Sequence, residues 1–284
     1  MTTSGWTPRW RRLRDERGVT VALVCCALLL LVGVGGAWIA PYDPTALLDP
    51  LDMRSQPPSW RHPLGTDPYS RDILSRIIAG ARVSLGLAVG AIVLATTIGV
   101  AVGVGSAFAG GRTDRVVMRL VDVALAVPRV VLLLTVTSVV GTLPLAMLAV
   151  LLGATGWFGL SRLVRGEVLA LRTQDRFVAA RALGVPPLAL VRRHVLPDLV
   201  PLIAVTATTG LGRVLLLESS LSFLGLGVAP PAASWGSVLL DVSDVVGDSR
   251  WLAVGPGLVI TITVVAMQRL GDALQSVLDV RLSR

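Results

Sequence analysis

The sequence predicts an all-α, polytopic membrane protein with six transmembrane helices. Hydrophobic residues make up 53% of the 284 residues, charged residues make up only 15%, and the mean hydropathy is +0.74. A soluble domain of this length cannot hide so much apolar surface, so lipid must cover part of it. A membrane-spanning helix needs about 20 apolar residues, and several uncharged stretches of the chain approach or exceed that length.

Uncharged stretches predict the individual spans in chain order. The first, second and last spans are Val19–Ala40, Val83–Ala109 and Leu252–Gln268. The stretch Val130–Ser161 is interrupted by Gly141-Thr142-Leu143-Pro144, which predicts two helices joined by a tight turn, the first beginning near Leu120. Leu199–Leu217, which contains Arg213, is the predicted fifth span.

Arginine placement predicts the orientation, because cytoplasmic loops are enriched in basic residues. The chain has 26 arginines and no lysine; with cytoplasmic termini, the internal segments contain eighteen of them and the external segments six. The net charge of +8 then reflects topology and attraction to anionic lipid, so no nucleic-acid partner is expected. The expected organisation is a cytoplasmic tail (1–18), a first anchor helix (19–40), an external segment with a surface helix (41–82), a five-helix core (83–272) and a cytoplasmic tail (273–284).

The external segment between the first two spans is rich in Pro and Asp. Thr66 or Asp67 is predicted to cap a helix that has Pro68 in its first turn. We interpret His62 as a capping or surface residue, because the other histidine, His194, falls on the opposite side of the membrane and the two cannot share a metal ion. Apolar residues near helical spacing predict that the helix lies along the membrane surface: Ile73, Leu74, Ile77 and Ile78.

The segment Ala179–Pro197, between two apolar stretches, predicts a helix–turn–helix unit that we call the elbow. Ala179 and Ala180 are expected on a helix where a partner surface can approach closely. A basic cytosolic loop that only fixes the topology is the alternative interpretation. The basic residues flanking this unit are Arg181, Arg192, Arg193 and His194.

Glycine and proline positions predict how the elbow is built. Gly184 suits the left-handed conformation that ends a helix. Pro186 or Pro187 suits the first turn of the next helix, and Pro197 is expected to stop that helix.

The elbow resembles the EAA loop of the membrane subunits of bacterial ABC importers, in which two short helices insert into a groove on the ATPase subunit. Val178 stands where that family has Glu. The resemblance implies a coupling loop spanning 165–197, in which the residues expected to contact the ATPase are Ala179, Ala180, Arg181, Gly184, His194, Leu196 and Pro197.

Further motifs resemble the second permease of the dipeptide, oligopeptide and nickel branch of these importers, in the same order from Arg61 to Arg281. The chain differs from that branch at several positions; among them, Ser70 stands where Gly is usual, and Arg129 stands where small or apolar residues are commoner. The matching motifs are HPLGTD (62–67), RDILSR (71–76), Gly110-Gly111 with Asp114, Glu218 with LSFLGLG (221–227), Pro230-Pro231 and SWG (234–236).

The resemblance implies the type I ABC importer permease fold and a non-catalytic subunit of an ATP-driven, binding-protein-dependent importer. Peptides are the default substrate, with nickel, opines or glycan fragments as alternatives. The implied partners are a homologous permease, two subunits that bind ATP and Mg, and an external substrate-binding protein, at the bacterial inner membrane. The sequence has no phosphate-binding loop and no catalytic motif, so neither cofactor nor catalytic residue is expected in this chain.

Other classes of membrane protein stay open as alternatives. A self-sufficient secondary transporter or channel can also have six spans, but a secondary transporter is expected to contain inverted repeats. The sequence shows no internal repeat. An intramembrane hydrolase is a third alternative, without a nucleophile–base pattern to favour it.

Two charged residues, Arg213 and Glu218, fall in or near the predicted fifth span. A charge inside a membrane costs a few kcal/mol unless it is paired or hydrated. Five residues correspond to about 140° around a helix, so a salt bridge between these two is not favoured. Two interpretations stay open: the charges face the translocation path or a partner subunit, or they pair with Asp122 or Arg129 and hold the bundle together.

Overall fold

Eleven α-helices and one π-helical turn form the regular structure in the residues described by the computed structural model, 17–48, 53–243 and 251–282. In chain order they are α1 (Arg17–Ile39), α2 (Ile73–Ala109), α3 (Gly111–Ala126), α4 (Arg129–Val140), α5 (Leu145–Ala154), α6 (Phe158–Leu171), α7 (Asp175–Ala182), α8 (Pro187–Leu190), the π-helical turn (Val191–Val195), α9 (Leu196–Phe223), α10 (Trp235–Ser243) and α11 (Trp251–Leu282). The predicted all-α class is confirmed.

Candidate membrane spans occur both as single helices and as bent pairs. Three helices are long and apolar enough to cross a membrane: Ile73–Ala109, Pro187–Phe223 and Trp251–Ser276. Helices α3 and α4 form a pair bent by 78°, and α5 and α6 form a pair bent by 43°. Within the described residues this gives three spans, or up to five if each bent pair is one span. The apolar part of α1, Thr20–Gly36, is shorter, so the count of six stays a prediction.

Helix α2 lies at the centre of the fold, where it packs against α1, α5, α6, α9 and α10. The largest side chain in its core is Trp235, which is fully buried. The indole Nε1 of Trp235 donates to the carbonyl oxygen of Ile77 at 2.9 Å, so the one polar atom of this side chain is satisfied. Leu133, Leu148 and Leu252 belong to the same core.

The N-cap of α2 is Asp72, and the prediction of a cap at Thr66 or Asp67 with Pro68 in the first turn is wrong. A carboxylate oxygen of Asp72 accepts from the backbone N–H of Ser75 at 2.8 Å and from its hydroxyl at 2.6 Å. This is the usual N-cap geometry. Asp67 instead stabilises the turn before α2: its Oδ1 accepts the backbone N–H groups of Tyr69 and Arg71, and its Oδ2 binds arginine side chains.

The predicted surface helix is the beginning of α2 rather than a separate element. Helix α2 runs without a break over 37 residues from Ile73. Ile73 and Ile77 are buried in the core around Trp235. Their apolar periodicity therefore reflects packing inside the protein and not contact with the membrane surface.

Pro128 interrupts the helix that was predicted to begin near Leu120 and to continue through the third span. Helix α3 ends at Ala126, and Val127 is extended with φ −85° and ψ 123°. A residue before proline is disfavoured in the helical region, which explains the break. The predicted turn between the third and fourth spans is confirmed at Gly141, where φ is +83°.

Pro197 does not stop the second helix of the elbow, contrary to the prediction. Helix α8 continues through the π-helical turn into α9, and the N–H of Leu196 donates to the carbonyl oxygen of Val191. Pro197 directly follows the π-helical turn, where the regular i→i−4 hydrogen bonding is interrupted, so its missing N–H is accommodated there. The elbow is therefore joined to the membrane span by continuous helical structure.

Candidate functional site

The turn of the elbow is a regular helix end centred on Gly184. Its φ is +77°, as the sequence predicts. The N–H of Gly184 donates to the carbonyl of Arg181 at 3.0 Å, and the N–H of Val185 donates to that of Ala180 at 3.2 Å. These two bonds form a Schellman motif. A Cβ added at Gly184 would meet nothing within 4 Å, so the backbone conformation, and not crowding by the chain, favours glycine here.

The tip of the elbow is apolar and exposed, which the sequence motif did not indicate. Leu183 and Leu188, on either side of the turn, are 84% and 71% exposed. Pro187 occupies the first turn of α8, one of the two predicted positions. Exposed apolar side chains gathered at one turn are typical of a contact surface. Of the predicted coupling residues, Ala179, Arg181, Gly184 and Pro197 are exposed, and His194 and Leu196 are half-buried.

Ala180 faces inward, which corrects the expectation that it offers a surface to a partner. It is only 9% exposed and belongs to a core cluster with Phe177, Val164 and Leu190. Successive helical residues point about 100° apart, so Ala179 can face outward while Ala180 packs inward. A small residue at 180 therefore allows α7 to lie close to the membrane helices.

Aromatic and cationic contacts join α7, and the connection that precedes it, to the end of α2. The ring of Phe177 lies edge-on to that of Phe108, with centroids 6.2 Å apart. The guanidinium of Arg172 lies 5.4 Å from the centroid of the Phe108 ring and donates to the carbonyl oxygen of Ala107. These contacts fix the position of this region relative to the end of α2.

Two Arg–Asp pairs join the elbow region to other helices. Arg165 on α6 binds Asp114 on α3 through two hydrogen bonds of 2.6 Å each. Arg176 on α7 donates to Asp198 on α9. The motif Gly110-Gly111 with Asp114 was recognised in the sequence, but the distant partner of Asp114 carries no local sequence signal.

A second polar network lies at the opposite end of α2. Asp67 binds Arg71 at 2.7 Å and Arg76 at 2.8 Å. Asp241 on α10 binds the same two arginines at 2.9 and 2.7 Å. Asp67 and Arg76 are buried, so the network fixes the segment before α2 against α10. The sequence indicated only that acidic residues offset the charge of the external arginines.

His62 supports the cap of α2 and is not a surface residue. It is buried, and its Nδ1 lies 2.8 Å from Oδ1 of Asp72. The ring of Tyr42 lies 4.8 Å from the imidazole. The HPLGTD motif therefore contributes to the start of the central helix.

Glu218 is fully buried among serine hydroxyls. Its carboxylate accepts from Ser84 on α2 at 3.2 Å and from Ser222 on α9 at 2.8 Å. The same Ser84 oxygen accepts the backbone N–H of Trp235 at 3.1 Å. Glu218 thus joins α2, α9 and the start of α10.

Neither Asp122 nor Arg129, the partners considered for Arg213 and Glu218, pairs with either of them within the described residues. Asp122 pairs with Arg162 at 3.1 Å. Arg129 donates to the hydroxyl of Thr155 at 3.2 Å and to the carbonyl of Leu152. The pairing interpretation is therefore replaced by hydrogen bonds to serines.

Arg213 instead lines a cavity of about 600 Å³, which we call the arginine cavity. Arg129 and Arg162 line the same cavity. The structure thus separates the two charges of the fifth span: Glu218 is enclosed in packing, and Arg213 reaches open space. Apolar, glycine and threonine residues from α2, α6 and α9 complete the lining, among them Ile92, Thr96, Gly159, Leu163, Thr206 and Gly210.

Comparison with known proteins agrees with this architecture. Residues 96–284 match the family described as "Binding-protein-dependent transport system inner membrane component", and residues 4–58 match "N-terminal TM domain of oligopeptide transport permease C". A putative peptide transport system permease protein of Brucella suis biovar 1 (strain 1330) is 35% identical over 274 residues, which cover 96% of this chain and 90% of that protein. The glutathione transport system permease protein GsiD of Escherichia coli O6:K15:H31 (strain 536 / UPEC) is 36% identical over 275 residues, with the same coverage. The chain therefore belongs to the binding-protein-dependent transport system inner membrane components, the permease subunits of ABC importers.

Proposed function

We propose that this permease imports peptides and that ATP-binding subunits dock on its elbow. The observation that carries the docking proposal is the exposed apolar tip, Leu183 and Leu188, on a turn joined by continuous helical structure to a membrane span. The peptide proposal rests on relatives that are named as peptide and glutathione permeases and that align over nearly the whole chain.

The proposed assembly contains four kinds of subunit. This chain pairs with a homologous permease in the bacterial inner membrane. Two further subunits bind ATP and Mg on the cytoplasmic side, where the elbow and both chain termini lie. A substrate-binding protein delivers the peptide at the opposite end, near the Asp67–Arg76 network.

The contacts of α6 and α7 support a mechanical role in coupling. When the ATP-binding subunits close, they displace the elbow. The Phe177–Phe108 contact carries this displacement to α2, the Arg165–Asp114 pair carries it from α6 to α3, and the Arg176–Asp198 pair carries it to α9. The helices then rock between outward and inward access. Arg213 takes part in the path, and Glu218 maintains the packing.

ATP-driven uptake by the purified complex tests this function. Proteoliposomes that contain both permeases and the ATP-binding subunits are supplied with binding protein and a mixture of di- and tripeptides. Accumulation that requires both ATP and the binding protein supports the proposal. Accumulation driven by an ion gradient without ATP would instead identify a secondary transporter, and uptake of nickel but no peptide would change the substrate class.

A further inference from the structure

The arginine cavity combines several positive charges with no carboxylate in its lining. Arg129, Arg162 and Arg213 line it, and no Asp or Glu is among its lining residues. The nearby carboxylate of Asp122 pairs with Arg162 at 3.1 Å. Arg213 lies about 26 Å from Leu196 and about 15 Å from Phe223 along α9, by the helical rise per residue. Arg213 therefore lies well inside the candidate membrane span Pro187–Phe223.

The guanidinium groups at this cavity keep free hydrogen-bond donors. A guanidinium carries five N–H donors. Arg129 uses its Nε on Thr155 and its Nη2 on the carbonyl of Leu152. Arg162 uses its Nη1 on Asp122, in a pair whose side chains are both more than half exposed. Arg213 makes no hydrogen bond or ion pair with any part of the chain that the structure describes, and its side chain is exposed.

A cluster of this kind is unfavourable inside a membrane unless water or an anion compensates it. An arginine at the centre of a bilayer costs about 3 kcal/mol or more when it is not paired or hydrated. Like charges that line one cavity add to that cost. The carboxylate Glu218, five residues away, is held by serines on another side of α9 and cannot compensate the cluster.

We propose that the arginine cavity binds a carboxylate of the transported solute during its passage. This rests on the proposed function, because a free peptide carries a C-terminal carboxylate. The planar guanidinium matches a carboxylate through two parallel hydrogen bonds. Arg129 is held in place by its two contacts and supplies a fixed positive field. Arg213 has no hydrogen-bond or ion-pair partner among the described residues and supplies the donors that reach the solute.

The selectivity of uptake tests this site. Proteoliposomes with the complete complex receive di- and tripeptides, each as the free acid and as the C-terminal amide. Mass spectrometry measures the acid-to-amide ratio, that is, the amount of free acid accumulated relative to the amount of amide. The same binding protein delivers peptide to every variant and to the wild type. Any preference of the binding protein for the acid or the amide is therefore the same in all complexes and does not affect the difference between them. Arg213→Gln is expected to lower the acid-to-amide ratio roughly tenfold, since it removes a charge-assisted hydrogen bond. Arg213→Lys is expected to give an intermediate ratio, because it keeps the positive charge but loses the two parallel hydrogen bonds.

The control is Arg119→Gln, which removes an exposed arginine of α3 outside the cavity. It is expected to leave the ratio unchanged. An unchanged ratio in Arg213→Gln would overturn the proposal. Loss of subunit co-purification in that variant would also overturn it, because Arg213 would then be a contact to a neighbouring subunit.

Chemical modification gives a readout that does not depend on transport. The rate at which phenylglyoxal modifies Arg213 is measured in the wild-type complex in phosphatidylcholine nanodiscs. Trialanine is expected to slow modification of Arg213 relative to Arg119, and trialanine amide is not. Equal rates with both peptides would contradict a carboxylate site even if Arg213→Gln proves inactive.

Two further outcomes distinguish failure of the proposed carboxylate site from failure of the proposed peptide substrate. If phosphatidylglycerol alone protects Arg213, the occupant is a lipid headgroup and the proposal is wrong. If the wild-type complex takes up no peptide, the proposed substrate fails, while protection of Arg213 by trialanine still decides whether the cavity binds carboxylates.

Discussion

Arg165 holds Asp114 through two parallel hydrogen bonds, from Nε to Oδ1 and from Nη2 to Oδ2, each 2.6 Å long. The pair joins α6, the helix that leads into the elbow region, to α3. It is the more enclosed of the two ion pairs between these helices, because the carboxylate of Asp114 is only 11% exposed while that of Asp122 is 52% exposed. A two-bonded Arg–Asp pair fixes direction as well as distance, so these two helices are expected to move together.

Asp114→Asn is expected to loosen this link and to uncouple transport from ATP hydrolysis. The change keeps the shape of the side chain but removes its charge, so it should lower the stability of the complex by roughly 1–2 kcal/mol. The measurements are the thermal midpoint of the purified complex and the peptide imported per ATP hydrolysed. Asp122→Asn is the matched control, because its exposed pair with Arg162 should contribute little. Equal effects of both changes would contradict the role of the Asp114 pair.

Gly184→Val is expected to impair docking of the ATP-binding subunits. A β-branched residue at φ +77° costs about 1–2 kcal/mol and adds bulk to the tip of the elbow. Co-purification of the ATP-binding subunits and ATP-dependent uptake provide the measurements. Gly184→Asn is the control, since Asn tolerates the left-handed region and should retain most of the activity. Normal uptake and full ATPase binding in Gly184→Val would show that this turn is not the coupling element.

Ala180→Glu and Ala179→Glu are expected to fail for different reasons. The first places a carboxylate in the cluster around Phe177 and should destabilise the elbow by roughly 2–3 kcal/mol. The second projects outward and should block docking without unfolding the elbow. Limited proteolysis of the elbow and co-purification of ATPase separate the two effects. Val178→Glu restores the residue usual in the family at an exposed position and should be tolerated. Equal protease sensitivity of the two Ala variants would contradict the inward orientation of Ala180.

Ser70→Gly is expected to stabilise the permease by about 1 kcal/mol. Ser70 has φ +63°, and its buried hydroxyl has no hydrogen-bond partner within the described residues. Glycine removes the strain and the unsatisfied hydroxyl, and these gains exceed its larger chain entropy in the unfolded state. Ser55→Gly is the control. It also relieves a positive φ, of +50°, but it removes no buried hydroxyl that lacks a hydrogen-bond partner within the described residues. The thermal midpoint in detergent is the measurement, and a decrease for Ser70→Gly would contradict the assignment of strain.

Short sequence patterns predicted turns whose geometry depends on one residue better than they predicted where the long helices begin and end. Gly184, Gly141 and Pro187 determine nearby backbone geometry, and their positions were predictable for that reason. The start of α2 was not, because Thr66, Asp67 and Asp72 can each cap a helix. The folded contacts place Asp67 on the preceding turn and Asp72 on the N-terminus of α2. Pro197 was misinterpreted because a π-helical turn before it accommodates the proline within a continuous span.

In the candidate site, too, the sequence identified individual residues but not their contacts with residues far away in the chain. The sequence located the elbow and singled out Arg213 and Glu218 as unusual charges. It could not predict that the two charges have different surroundings. One of the serines that bind Glu218 is Ser84 on α2, which is 134 residues away from Glu218 in the sequence. The inward orientation of Ala180 likewise depends on Phe177 and Val164, which meet it only after the chain folds.

Site-specific photo-cross-linking from Leu183 tests the central claim most directly. A photoreactive amino acid replaces Leu183 in the elbow or, as the control, Trp60. Trp60 is a fully exposed residue in the segment before the N-terminus of α2, at the end of α2 opposite to the elbow. In the assembled importer, Leu183 is predicted to form an adduct with an ATP-binding subunit, and Trp60 is predicted to form none with that subunit. Absence of the Leu183 adduct in a complex that imports peptide, or an ATPase adduct from Trp60, would contradict the assignment of the elbow as the ATPase-coupling surface.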